Sequence, residues 1–358
     1  MQADCKAGYV GMLTANSFMK REFGKKLIEQ FFPGVDLTHV IDTSGAYIPG
    51  HGTPTVILLG RNRPPVLDTV RAIMGIRGEP TTPADPEQGL VWQSILAAMY
   101  GPDRPRDVFD CIPGWSKAIH AGDRLGDLYQ QQCEDARKGR ALVQTPPFVR
   151  TLLLRETLGR SLETHGPAEV RFIDPSCGTG HLLVDAFRIL YRVAKDYLPT
   201  IQRSPKSIDF AQWALDRVTG VDLDPVCVAI STYRLIQAAW DETGWPNVTY
   251  LTSVYTGDSL LHHRPHRGDT LDDELVEVME PGRFTAVAAN PPYICASDPK
   301  ANATYRQRYG SAHRRYSLAC PFTELCWGLA RKGGQEPLPD VGDRPLAAIT
   351  QAMLFGEE

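Results

Sequence analysis

The stretch RFIDPSCGTGHLLVDAF, residues 171–187, narrows the possible folds more than any other part of the chain. A short apolar run ends in an acid. A loop with two glycines follows, and a helical apolar stripe begins directly after it. This reads as a buried strand feeding a helix through a tight turn. The pattern recurs. Residues 218–240, VTGVDLDPVCVAISTYRLIQAAW, read as strand, acidic turn and helix; residues 247–261 end a strand in Gly-Asp-Ser; residues 284–293, FTAVAANPPY, end one in Asn and two prolines. Strands that alternate with helices form a mainly parallel sheet covered on both faces. The expected fold class is therefore α/β.

The chain has 358 residues, of which 42% are hydrophobic, enough for one large domain or two smaller ones. The net charge of −4 excludes a globally basic nucleic-acid binder but leaves room for a local basic cleft. No long apolar run or leader pattern is seen, so a cytoplasmic protein without membrane contact is expected. The eight cysteines form no CxxC pair. Neither a disulfide framework nor a metal site is expected, and most of the thiols should be small buried groups.

The chemistry lies at the strand ends. Gly178 and Gly180 let the backbone approach a ligand at the carboxyl edge of the sheet. The loop is no dinucleotide fingerprint, because Leu183 stands where the third glycine belongs. Asp222 is expected to accept from ribose hydroxyls, with Asp224 before Pro225 as a helix N-cap. Asp258 either accepts from an adenine amino group or caps a turn. Three acids at successive strand ends, without a Lys-bearing phosphate loop, point to S-adenosylmethionine as cofactor. On the fourth strand, the Asn290 side-chain oxygen and the Pro291 carbonyl form two fixed acceptors for an exocyclic amine. They draw its lone pair out of conjugation and orient the nitrogen toward an electrophilic methyl. Pro292 stiffens the corner, and Tyr293 offers a face for a planar target.

In this order DPSCGTG, GVDLD, GDSL and NPPY resemble motifs I to IV of N6-adenine DNA methyltransferases. KGRALVQTPPFV resembles their preceding motif X. The wording of residues 125–149 and 314–327, and of residues 8–63, is similar to the PglX family of BREX phage-defence systems. The resemblance implies a Rossmann-like S-adenosylmethionine-dependent methyltransferase fold with seven strands ordered 3-2-1-4-5-7-6. It implies a cofactor set of Thr145, Pro146, Asp174, Pro175, Cys177, Gly178, Gly180, Asp222, Asp258 and Ser259. Asn290, Pro291, Pro292 and Tyr293 form the implied catalytic corner. Tyr47 falls where such enzymes often place a second aromatic against the flipped base. Arg306, Arg308, Arg314 and Arg315 are expected to meet nucleic-acid phosphates, although a solvated loop explains them equally well. The implied partner is double-stranded DNA, with other phage-defence subunits supplying recognition.

The order departs from that family. There GYVGMLTANSF follows LARKGG; here it leads the chain, and LARKGG stands at residues 329–334. The chain therefore reads as circularly permuted. Residues 1–75 are expected to supply strands 5 to 7, 76–126 a connection, 127–332 the cofactor and catalytic part, and 333–358 a tail. The strand of residues 9–13 should then lie beside that of 285–289. Other readings stay open: another amine target, cytosine N4 or a protein glutamine amide, or a non-catalytic subunit that binds DNA or a defence partner.

Overall fold

A computed structural model describes residues 6–49, 53–76, 78–101, 144–262, 273–296 and 298–334, and the backbone of 344–345. The stretch LYQQQCEDARKGR, residues 128–140, which reads as helical, the HHRPHR run beyond His262 and the tail beyond 345 lie outside the described residues. Short β-rich runs bounded by turn residues form the strands: β1 (Tyr9–Ala15), β2 (Asp36–Asp42), β3 (Thr55–Arg61), β4 (Thr69–Met74), β5 (Phe172–Asp174), β6 (Val218–Asp222), β7 (Ser253–Thr256), β8 (Ala286–Ala289) and β9 (Arg344–Pro345). They make one sheet ordered β7-β6-β5-β8-β1-β3-β2-β4-β9.

The first seven positions of that sheet reproduce the order 3-2-1-4-5-7-6 with β5 as strand 1 and β1 as strand 5. Strand β1 runs parallel to β8, with Tyr9 opposite Ala286 and Met12 opposite Ala289. Strand β3 is antiparallel to both β1 and β2, as the seventh strand of such a sheet should be. The permutation is therefore real in space. Two strands extend the expected seven. Strand β4 adds parallel to β2, and β9 pairs antiparallel with β4. Polar residues break the apolar alternation of TVRAIM, so the sequence hides this strand; its buried Val70 and Ile73 still anchor it.

Two other expectations change. The stretch FMKREFGKKLIEQFF, residues 18–32, reads as one helix with Phe23, Leu27 and Phe31 on a stripe, but residues 17–34 form broken helical turns. Gly24 lies so close that a Cβ there would fall 1.8 Å from the Phe18 carbonyl oxygen, a packing that a straight helix does not produce. Residues 90–100, aperiodic by pattern, form the helix Leu90–Tyr100, whose Trp92 meets Phe148 edge-on with ring centroids 4.7 Å apart. Hydrophobic clusters fill both faces of the sheet. One holds Phe172, Leu183 and Phe187; the other holds Met12, Val287 and Trp327. Of the described cysteines, Cys177, Cys227, Cys320 and Cys326 are buried and Cys295 is exposed. No helix among the described residues is long and apolar enough to cross a membrane.

Candidate active site

Because β7, β6, β5 and β8 run parallel, their carboxyl ends open on one side, the side where ligands bind in such sheets. A cavity of about 890 Å³ lies there. Thr145, Asp174, Pro175, Cys177, Gly178, Asp222, Asp258, Ser259, Asn290, Pro292 and Arg308 all line it. Residues far apart in the chain thus converge on one space.

The glycine loop is built for close approach. Gly178 and Gly180 have φ of 52° and 80°, in the left-handed region that side chains avoid. A Cβ on Gly180 would meet Ser231 Oγ at 2.7 Å. Ser231 Oγ itself donates to the Gly178 carbonyl at 2.8 Å, tying the loop to the helix Pro225–Thr243. Asp222 accepts from the Gly178 amide and from the Asp224 amide, each at 2.8 Å. It therefore shapes the loop as well as facing the cavity. Asp224 caps the helix through the Val226 amide at 3.0 Å, the division of labour expected for this acid pair. Asp174 is 3% exposed. Burial pushes its carboxyl up to about 7, against the pull of the Ser176 amide and with the Asp222 charge adding to the rise.

Asp258 is more committed to the protein than an open adenine acceptor would be. One oxygen accepts from the Leu260 and Leu261 amides at 2.8 and 3.2 Å, and the other from the Tyr305 hydroxyl at 2.5 Å. The turn-capping alternative is thus realised. Tyr305, from the helix Pro299–Arg308, carries no signal in the sequence beyond being aromatic. Ser259 Oγ donates to the Pro175 carbonyl at 2.6 Å, so it staples two strand-end loops together.

The corner after β8 is tightly held. Asn290 Nδ2 donates to Thr145 Oγ1 at 3.1 Å, and the Tyr293 hydroxyl donates to Asn290 Oδ1 at 2.6 Å. Burial raises the Tyr293 phenol, which stays protonated. Pro291 is buried, and Pro292 and Tyr293 are half-buried. Pro291, Tyr293, Pro146 and Gly180 are not among the residues lining the cavity. Pro146 instead stands as the N-cap residue of the helix Pro147–Leu154. Sequence reading missed His181 on the cavity wall. Its imidazole is held well below its ordinary value by burial, with the Arg234 and Arg150 charges adding, so it is neutral.

The arginines separate into two groups. Arg308 faces the main cavity and donates to the His262 ring at 3.0 Å. Arg306, Arg314 and Arg315 line a second cavity of about 560 Å³ with Asn302 and Tyr316. Cys295 and Ala296 line both cavities, so the two meet just beyond the Asn290 corner. Arg306 is fixed by Asn302 at 3.1 Å and lies over the Tyr316 ring. Arg314 pairs with Glu22. Tyr47 does not join them. It is 39% exposed, in the bend after β2, and is not among the lining residues of either cavity.

The donor set fits a nucleoside-bearing cofactor. Gly178, at a positive φ that side chains avoid, lines a cavity of suitable size with the carboxylates of Asp174 and Asp222.

Residues 216–336 match the Eco57I restriction-modification methylase family. The chain is 35% identical over 258 residues to an adenine-specific methyltransferase PglX from Streptomyces coelicolor, covering 63% of this chain and 20% of that protein. It is 23% identical over 234 residues to the type II restriction enzyme and methyltransferase RM.Eco57I of Escherichia coli, covering 56% and 23% of the two. The chain thus spans roughly a fifth of the length of these curated relatives. Among solved structures it is similar to a nuclease-deletion mutant of the type ISP restriction-modification enzyme LlaGI in complex with a DNA substrate mimic, at 20% identity, a TM-score of 0.32, and 45% and 14% coverage. The fold assignment rests on strand order, not on that superposition. The motif resemblance to PglX-type adenine methyltransferases is borne out.

Proposed function

We propose that this relative of PglX-type adenine methyltransferases transfers a methyl group from S-adenosylmethionine to the N6 amine of adenine in double-stranded DNA. The observation that carries the reading is a single cavity. It holds both the glycine-and-carboxylate cradle of β5 to β7 and the Asn290 corner of β8. When bound, the cofactor supplies an electrophilic methyl group on a sulfonium sulfur. Asp174, Gly178 and Asp222 would hold it, with Thr145 at its methionine end. Asn290 Oδ1 and the Pro291 carbonyl accept from the target amine and keep its lone pair aimed at that methyl. Tyr293 stacks on the extruded base once its hydroxyl leaves Asn290. Arg306, Arg314 and Arg315, beside the corner, neutralise phosphates. The phage-defence setting expected from the motifs, and partner subunits that choose the DNA site, belong to this proposal.

Labelled cofactor and unmethylated DNA test it directly. Wild-type protein is expected to label adenine N6. Asn290→Ala should lose about a hundredfold or more of that rate, as removal of a positioned charge-directing group does. Arg315→Ala should raise KM for DNA and leave cofactor affinity alone. Cofactor binding without any transfer to DNA, in wild type and Asn290→Ala alike, would leave only a binding role.

A further inference from the structure

A productive Asn290 must present Oδ1 to the target, because an amine only donates and so needs an acceptor. That turns Nδ2 away from the target, into half-buried surroundings where an unmet donor is costly. Neither hydroxyl beside the amide chooses this orientation by itself. Both Thr145 Oγ1 and the Tyr293 hydroxyl can donate or accept. The incoming amine makes the choice, and Thr145, by accepting from Nδ2 as it does at 3.1 Å, holds the amide in it.

Thr145 is placed for that task by groups outside the cavity's chemistry. It is 6% exposed, in an irregular segment directly before Pro146, whose ring restricts it. Its carbonyl accepts from Arg150 Nη1 at 2.7 Å. Arg150 Nε in turn donates to Asp185 Oδ2 at 2.6 Å. Arg150 is 5% and Asp185 3% exposed, so the ion pair is shielded from water. Burial raises the Asp185 carboxyl and the Arg150 charge opposes the rise. Asp185 sits one turn into the helix His181–Ile201, which begins at the glycine loop. One chain of contacts therefore joins the cofactor loop to the amide of the reacting corner.

We propose that Thr145, fixed by the buried Arg150–Asp185 pair, is a positioning residue that holds the Asn290 amide in its productive orientation. The proposal rests on the amine-methylation reading given above. Thr145→Val removes the acceptor and keeps the shape; Thr145→Ser restores it. Thr145→Val is expected to lower kcat about tenfold to a hundredfold, the cost of losing the acceptor that holds the Asn290 amide, with Thr145→Ser close to wild type. Arg150→Lys keeps the charge beside Asp185 but offers only one ammonium, so kcat should fall there too. A second readout needs no turnover. The Asn290 side-chain amide resonances, assigned by their loss in Asn290→Asp, should shift and exchange faster with water in Thr145→Val than in wild type or Thr145→Ser.

If Thr145→Val weakens cofactor binding while kcat and the amide resonances hold, Thr145 is a cofactor contact only and the proposal is overturned. If Arg150→Lys leaves kcat and those resonances unchanged, the ion pair serves folding alone. If wild type methylates nothing while the resonances respond as expected, the methylation reading fails and the positioning contact stands.

Discussion

Asp174 shows how burial makes a cavity-lining carboxyl pH-sensitive. The folded state holds its proton from the ordinary carboxyl value of 3.8 up to about 7, a range in which the unfolded chain has released it. The folded state then binds more protons than the unfolded, so the residue's contribution to stability falls as pH climbs through that window. Asp174→Asn carries no charge at any pH, and it keeps an oxygen to accept from the Ser176 amide, which lies at 3.0 Å in wild type. Relative to wild type it is expected to melt higher above about pH 7 and to lose that margin near pH 4. Thermal unfolding across that range checks the claim, and a constant difference between the two proteins would contradict it. The acids, the glycines and the Asn-Pro-Pro-Tyr corner were all legible as strand-end residues, because each stands where an apolar run stops. Their partners were not. Tyr305 reaches Asp258 from 47 positions away, and Thr145 reaches Asn290 from 145.

The element that carries most of the site is the turn from β5 into the helix His181–Ile201. Its shape follows from local chemistry. Asp174 folds back onto the Ser176 amide, Gly178 and Gly180 take left-handed φ, and the helix starts at once. The neighbouring strand must leave room for it. A Cβ on Gly220 of β6 would come within 2.4 Å of Leu183 Cδ1. Gly180→Ala would combine a φ of 80° with contact at 2.7 to 2.9 Å on Ser231. It should cost about 1–3 kcal/mol of stability by backbone strain alone. It should also weaken cofactor binding by more than a distant substitution of equal destabilisation, because the loop itself must shift. Calorimetric titration beside an equally destabilised core variant separates the two effects. At this scale pattern reading succeeds where one period dominates, as in the helix from His181. It fails where polar residues interrupt a strand, as in β4, or where a close glycine contact breaks a helix, as at Gly24.

At the scale of the whole molecule, the consequence of the altered order is a seam. The Arg331 carbonyl accepts from the Gly8 amide at 2.7 Å, and the Gly333 amide donates to the Asn62 carbonyl at 3.0 Å. A Cβ on Gly333 would lie 2.4 Å from the Ala7 nitrogen. The two segments that adjoin in the related proteins' order are therefore neighbours in space. A rearranged chain in which residues 105–334 are followed by a short glycine linker and residues 6–100 is expected to build the same sheet. Its affinity for S-adenosylmethionine should equal that of the present order, whatever that affinity is, since close, exposed ends tolerate such rearrangement. Loss of cooperative unfolding in that chain would show that the present order is required for the sheet.

By itself the sequence determined the strand ends, the glycine turn, the acceptor corner and the α/β class. These depend on short-range rules: where burial stops, where φ must be positive, where a proline forbids a strand. It also carried the permutation, as a displaced order of motifs. Only the tertiary structure decided which acceptors are already engaged, that Tyr293 rests on Asn290 and Tyr305 on Asp258, and that the arginines divide between two cavities. Those outcomes depend on distances between side chains remote in the chain. Such distances are set by how the sheet and its helices pack, and no local pattern encodes them.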